Sequence, residues 1–133
     1  TAAVSAAQRA TTGLQAGAAW SRAARRGGTG VLYLELRGAP DGDDTLLGLT
    51  AAVSPRVEIH RTVQRGDLVS MEPLPEGLPV PAGQRVVLEP GGLHAMLLEL
   101  AADLKAGETI EVVLHFARAG DLPLQVPVRP LFP

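Results

Sequence analysis

The sequence predicts an all-β protein, a sandwich or barrel folded as a single domain. Three observations carry that expectation. Short runs of β-branched or alternating apolar residues recur roughly every eight to twelve positions, the spacing of sandwich and barrel strands. The 15 glycines and 11 prolines are spread as turn punctuation and do not gather into a linker. A chain of 133 residues suits one domain whose core folds without covalent staples.

In chain order, the strand candidates are residues 15–22, 31–37, 46–53, 57–63, 68–73, 85–88, 94–98, 109–117 and 122–128. Turn signals separate them: Gly38 to Asp44, Ser54-Pro55, Arg65-Gly66-Asp67, Pro75 to Gly77, Pro79 to Gly83, Pro90-Gly91-Gly92, Lys105 to Gly107 and Ala119 to Asp121. Residues 97–104 also fit a helical turn. The 109–117 strand shows the alternation most clearly. Ile110, Val112, Leu114 and Phe116 make its core face, which leaves His115 on the more polar face as a solvated strand histidine. Residues 1–14 read as a flexible tail, briefly helical over residues 2–10. Residues 15–130 form the domain and 131–133 its C-terminal end. Residues 1–19 lack the basic then hydrophobic pattern of a signal peptide, so they read as a mature N-terminus from which a leader is already gone.

Composition removes several functions. With no cysteine there is no disulfide, zinc ribbon, iron–sulfur cluster, thiol nucleophile or blue-copper thiolate. A net charge of −2 argues against nucleic-acid binding, since only Arg25 and Arg26 adjoin among the scattered arginines. The longest apolar run, 95–102, is interrupted by Glu99 and falls well short of the roughly 20 residues of a membrane span. Asp41, Asp43 and Asp44 lack the spacing of a calcium loop. No nucleophile elbow or phosphate loop is present, and an enzyme is not expected. Arg65-Gly66-Asp67 is explained by a hairpin turn.

The soft-donor inventory is small and patterned. Both methionines of the chain, Met71 and Met96, fall close to His60 and His94 in the strand pattern. If residues 57–63 and 68–73 form a hairpin centred between Arg65 and Gly66, His60 lies directly opposite Met71, at a Cα separation of roughly 4.5–5.5 Å. His94 and Met96 are two apart on one strand and share a face, about 6.5–7 Å apart. A core that needed methionine as filler would not confine it to positions next to turns. Thioether and imidazole donors without thiolate or carboxylate suit Cu(I) better than zinc, calcium or magnesium. They also suit an oxidising compartment, where a thiol would be a liability.

The stretch from Val57 to Met96 resembles the PCuAC family of periplasmic copper chaperones. The likeness rests on Val57-Glu58-Ile59-His60, then Met71, then Pro90-Gly91-Gly92-Leu93-His94-Ala95-Met96. It extends through Met71-Glu72-Pro73 and Leu78-Pro79-Val80-Pro81-Ala82-Gly83, through residues 104–109 and to Val126-Pro127-Val128-Arg129. Upstream it takes in Trp20-Ser21-Arg22 and Tyr33-Leu34-Glu35-Leu36. The resemblance implies a cupredoxin-like Greek-key β-sandwich or barrel. It implies one Cu(I) per chain, held by His60, Met71, His94 and Met96 near an exposed end. It further implies a monomeric periplasmic or extracytoplasmic carrier. Such a carrier delivers Cu(I) by ligand exchange to the copper-centre subunit of cytochrome c oxidase, alongside a Sco-type thiol protein. Arg61 adds no further soft donor beside His60, and residues 129–133 carry no ligand for a second copper. Copper storage or resistance is an alternative role, and a metal-free interaction domain is another.

Overall fold

The computed structural model describes residues 8–131, which form eleven strands and no helix. These are β1 (Gln8–Arg9), β2 (Gln15–Arg22), β3 (Gly30–Arg37), β4 (Asp44–Thr50), β5 (Arg56–Arg65), β6 (Leu68–Pro73), β7 (Leu78–Val80), β8 (Arg85–Leu88), β9 (Leu93–Leu98), β10 (Thr109–Phe116) and β11 (Gly120–Arg129). Their order is β6-β5-β9-β8-β3-β2-β11-β10-β4-β7, with β1 added on β2 and β9 also pairing β3. The chain repeatedly leaves one half of this sheet for the other, as between β3 and β4, β4 and β5, and β9 and β10. That is how a Greek key separates consecutive strands.

One apolar cluster joins the two halves. Leu32, Leu34 and Leu36 of β3 belong to it, with Leu97 of β9, Val112, Leu114 and Phe116 of β10, and Leu122, Leu124, Val126 and Val128 of β11. The alternation expected for residues 109–117 is observed, with Ile110 partly buried against the cluster. With four aromatics in the chain, aliphatic side chains fill most of this core. The buried Ser21 hydroxyl donates to the Val31 carbonyl at 2.6 Å, so its polarity is satisfied.

Two strands went unanticipated and two expectations fail. Gln8–Arg9 pairs with Gln15 and Ala16, and Leu14 is fully buried. The helical turn expected over residues 2–10 lies outside the described residues up to residue 7, and residues 8 and 9 are extended. β7 carries Pro79, which read as punctuation. It is an edge strand, where a residue without an N–H is tolerated, and Leu78 and Val80 point into the core on either side of it. The alternative helical reading of residues 97–104 is wrong. Leu100 and Leu104 are buried from an irregular loop whose backbone pairs with Gly27, Gly28 and Ala24.

Gly77 leads into β7 with φ +96, and a Cβ there would lie 2.6 Å from the Leu46 carbonyl oxygen. Gly77→Ala therefore meets both backbone strain and a fixed neighbour. It should lower the unfolding free energy by about 1–3 kcal/mol, read by urea denaturation. An unchanged midpoint would contradict this account of the turn.

On the outer face of the sheet, Trp20 of β2 packs in a tilted contact against its register partner Tyr33 of β3, ring centroids 4.6 Å apart. The guanidinium groups of Arg22 and Arg129 lie 5.0 and 4.3 Å from the Trp20 ring. Tyr33 follows Leu32, whose partner Ala95 follows His94, so Tyr33 and His94 share a row and a face.

Candidate metal centre

The site lies on three adjacent strands, β6, β5 and β9, with β5 in the middle. Ile59 of β5 pairs with Ala95 of β9, and both are buried in the core. The residues on either side of them must therefore face outward. His60 stands directly opposite His94, and Glu58 directly opposite Met96. On the other flank Met71 stands directly opposite Thr62. Thr62, His60 and Glu58 alternate along one face of β5, so His60, Met71, His94 and Met96 all share it.

The β5–β6 register differs from the expected one. His60 pairs with Pro73, not Met71, because the loop is Gly66-Asp67 and the ladder closes at Arg65 and Leu68. Gly66 takes φ +62 at the first loop position, where a two-residue type II′ hairpin places its glycine. The slip is two residues, an even number, so Met71 keeps its face and becomes a diagonal neighbour of His60 at roughly 7–8 Å. The histidine pair is thus central. Met71 and Met96 flank it from opposite sides, one row each way along the strands.

Burial divides the donors. His94 is 5 % exposed and the His60 side chain 15 %, whereas Met71 is 55 % exposed. The two rings lie 5.9 Å apart between centroids. Each has one nitrogen engaged: His60 Nε2 lies 2.9 Å from a Glu58 carboxylate oxygen, and His94 Nδ1 lies 3.2 Å from the Gly92 carbonyl. The other nitrogens, His60 Nδ1 and His94 Nε2, are buried with no hydrogen-bond partner. The Gly92 carbonyl can only accept, so His94 carries its hydrogen on Nδ1 and leaves a lone pair on Nε2. That carbonyl is itself pinned by the Thr62 backbone N–H at 3.3 Å and by the Thr62 hydroxyl at 3.0 Å. The Pro90-Gly91-Gly92 turn thus positions His94 as well as starting its strand.

Two orphaned buried imidazole nitrogens with sulfur on both flanks fit a soft cation. Among the described residues no group of three or more His, Asp or Glu side chains is gathered to hold a metal. Met71 and Met96 add thioether donors on the same face, a set that suits a soft cation better than a hard one. His115, the remaining histidine, is elsewhere. It pairs across strands with Asp121, its Nδ1 at 2.7 Å from the carboxylate and its Nε2 at 2.8 Å from the Thr50 hydroxyl. Both of its nitrogens are satisfied, in keeping with a surface ladder. Glu58, Thr62 and Gly92 were missed as site residues in the sequence. Strict alternation about His60 would have found the first two.

An outward-facing His/Met cluster on a small all-β domain is the class of protein that fold and site define together. The profile of the LpqE-like family, described as "Putative lipoprotein LpqE-like", matches residues 14–128, and the chain belongs to that family. A relative from Leifsonia xyli subsp. xyli (strain CTCB07), "Putative lipoprotein Lxx21020", is 33 % identical over 117 residues, 88 % of this chain and 70 % of that protein. Among solved structures, the apo PCuAC domain from PmoF1 superposes with a TM-score of 0.77 at 21 % identity, covering 94 % of this chain and 99 % of that one. The copper-bound PCuAC domain from PmoF2 gives 0.77 at 22 % identity, over 94 % and 98 %. The Cu(I) form of DR1885 from Deinococcus radiodurans gives 0.66 at 23 % identity, over 86 % and 78 %. The fold is accordingly a single-domain cupredoxin-like β fold. Among the described residues no helix is long and apolar enough to cross a membrane.

Proposed function

We propose that this protein is a copper carrier that binds one Cu(I) through His60, Met71, His94 and Met96. The observation that carries the reading is the pair of buried, unpartnered imidazole nitrogens on directly opposed residues, with both methionines of the chain on the same face. Neutral nitrogen and sulfur donors hold Cu(I) without needing to lose a proton. Without thiolate they hold it loosely enough for exchange. The copper-bound PmoF2 domain and the Cu(I) form of DR1885 share the fold and support the choice of metal.

The uneven burial supplies a mechanism. Met71 is the solvent-facing donor, so an incoming ligand displaces it first, while the sheltered imidazoles keep hold of the metal in a mixed-ligand intermediate. The lipoprotein descriptions of the family and of the Leifsonia relative support work outside the cytoplasm. The recipient we propose is the copper-centre subunit of cytochrome c oxidase. A chain without cysteine cannot reduce a disulfide between that centre's cysteines by thiol exchange, so a Sco-type thiol protein would act beside it.

Titration against a Cu(I)-chelating dye tests the binding step. One equivalent of protein should withdraw one equivalent of Cu(I) from the dye. No competition at stoichiometric protein would sink the proposal. Transfer from the loaded protein to an isolated oxidase copper domain tests the recipient. Binding without transfer would leave storage or resistance as the role.

A further inference from the structure

Glu58 is not one of the four donors, yet it stands on their face, directly opposite Met96 and two residues before His60. One carboxylate oxygen lies 2.9 Å from His60 Nε2, and the other 3.3 Å from Arg56 Nε. We propose that Glu58 is a positioning residue that dictates which nitrogen His60 offers to the metal. The inference rests on the Cu(I) reading of the site.

A neutral imidazole has one N–H and one lone pair, and an ionised carboxylate can only accept. The nitrogen facing Glu58 therefore carries the hydrogen, as Nε2–H. The lone pair falls on Nδ1, the atom buried without a partner. The opposite tautomer is doubly unfavourable. It would bury an unpaired Nδ1–H and turn the Nε2 lone pair towards negative charge. Arg56 holds the second carboxylate oxygen and keeps the first aimed at the ring. His94 is set the other way by Gly92, so the pair offers one Nδ1 and one Nε2. Two opposed strand residues can then face a single ion without either ring turning over. A carboxylate behind a ligating imidazole also raises its basicity, and loss of such partners typically costs about 10–100-fold in metal affinity.

Imidazole 15N spectra of the apo protein, together with Cu(I) competition, test this on Glu58→Leu and Glu58→Gln. In the unsubstituted protein His60 should be the Nε2–H tautomer. Glu58→Leu should populate both tautomers of His60 and leave His94 unchanged. It should weaken Cu(I) binding by about 10–100-fold. The Glu58→Gln amide oxygen still accepts, so that variant should keep the tautomer and recover most of the affinity. Backbone amide spectra establish that both variants fold. If His60 keeps one tautomer in Glu58→Leu, or if the tautomers mix while Cu(I) affinity holds, the positioning role is wrong and the copper site stands. If the unsubstituted protein binds no Cu(I), the copper reading itself fails, and this role with it.

Discussion

Replacing Met71 and Met96 together by alanine is expected to abolish stoichiometric Cu(I) binding and to leave the protein folded. The change removes both sulfur donors and keeps both imidazoles. The loss should exceed the roughly 10–100-fold typical of losing one outer partner of a ligand. The stability cost should be small. Met71 is more than half exposed on an edge strand, and surface substitutions usually fall within about 0.5 kcal/mol. Met96 is half-buried on the outer face, away from the aliphatic cluster. Dye competition and thermal unfolding decide the matter side by side. A double variant that unfolds, or one that still competes for Cu(I), would make the methionines packing residues.

Leu97→Ala should do the reverse. Leu97 is fully buried in β9, beside Met96 in sequence but on the core face of the sheet. Truncating it leaves a cavity and should cost about 2–5 kcal/mol of stability, seen as a lower unfolding midpoint. The His/Met face is untouched, so the folded variant should still take one Cu(I). Bound metal stabilises only the state that binds it. Added Cu(I) should therefore raise the midpoint of Leu97→Ala and leave that of the double methionine variant unmoved. A loss below about 1 kcal/mol would show that the core at β9 collapses around the gap. A folded Leu97→Ala that takes no Cu(I) would show that the two faces of β9 are coupled.

Much of this architecture was legible in the sequence, for identifiable reasons. Residues 15–22, 68–73 and 85–88 are strands with the expected boundaries, because turn residues bracket each apolar run. The failures come from distant contacts. Leu78-Pro79-Val80 looks like punctuation until β4 supplies an edge on which a proline is harmless. Gln8-Arg9 has no strand signature, and pairing with β2 alone makes it one. The placement of all four proposed donors on one face follows from parity, which survives a register slip of two. The directly opposed partner of His60 does not survive it. Gly66 lies inside the two-residue loop in either register, at its second position in the expected one and at its first in the observed one, so it does not decide between them. That His60 would meet His94 across β5 and β9 was beyond reach, because 33 intervening residues pass through both halves of the sheet.

Trp20 is the single tryptophan of the chain and belongs to the outer face of the same sheet as His94, with Tyr33 between them. Two strand spacings of about 4.8 Å put it near 10 Å from the histidine pair. Its ring rests beneath two guanidinium groups, so any shift of β2, β3 or the end of β11 changes the electric field around the indole. The protein therefore carries its own optical reporter. Under excitation at wavelengths that tyrosine does not absorb, emission comes from one indole at one location, with no label to attach and no second indole to subtract. If the neighbouring site takes Cu(I) as proposed, adding it to the unmodified chain is expected to change this emission, and an emission unmoved by one equivalent would count against the coupling.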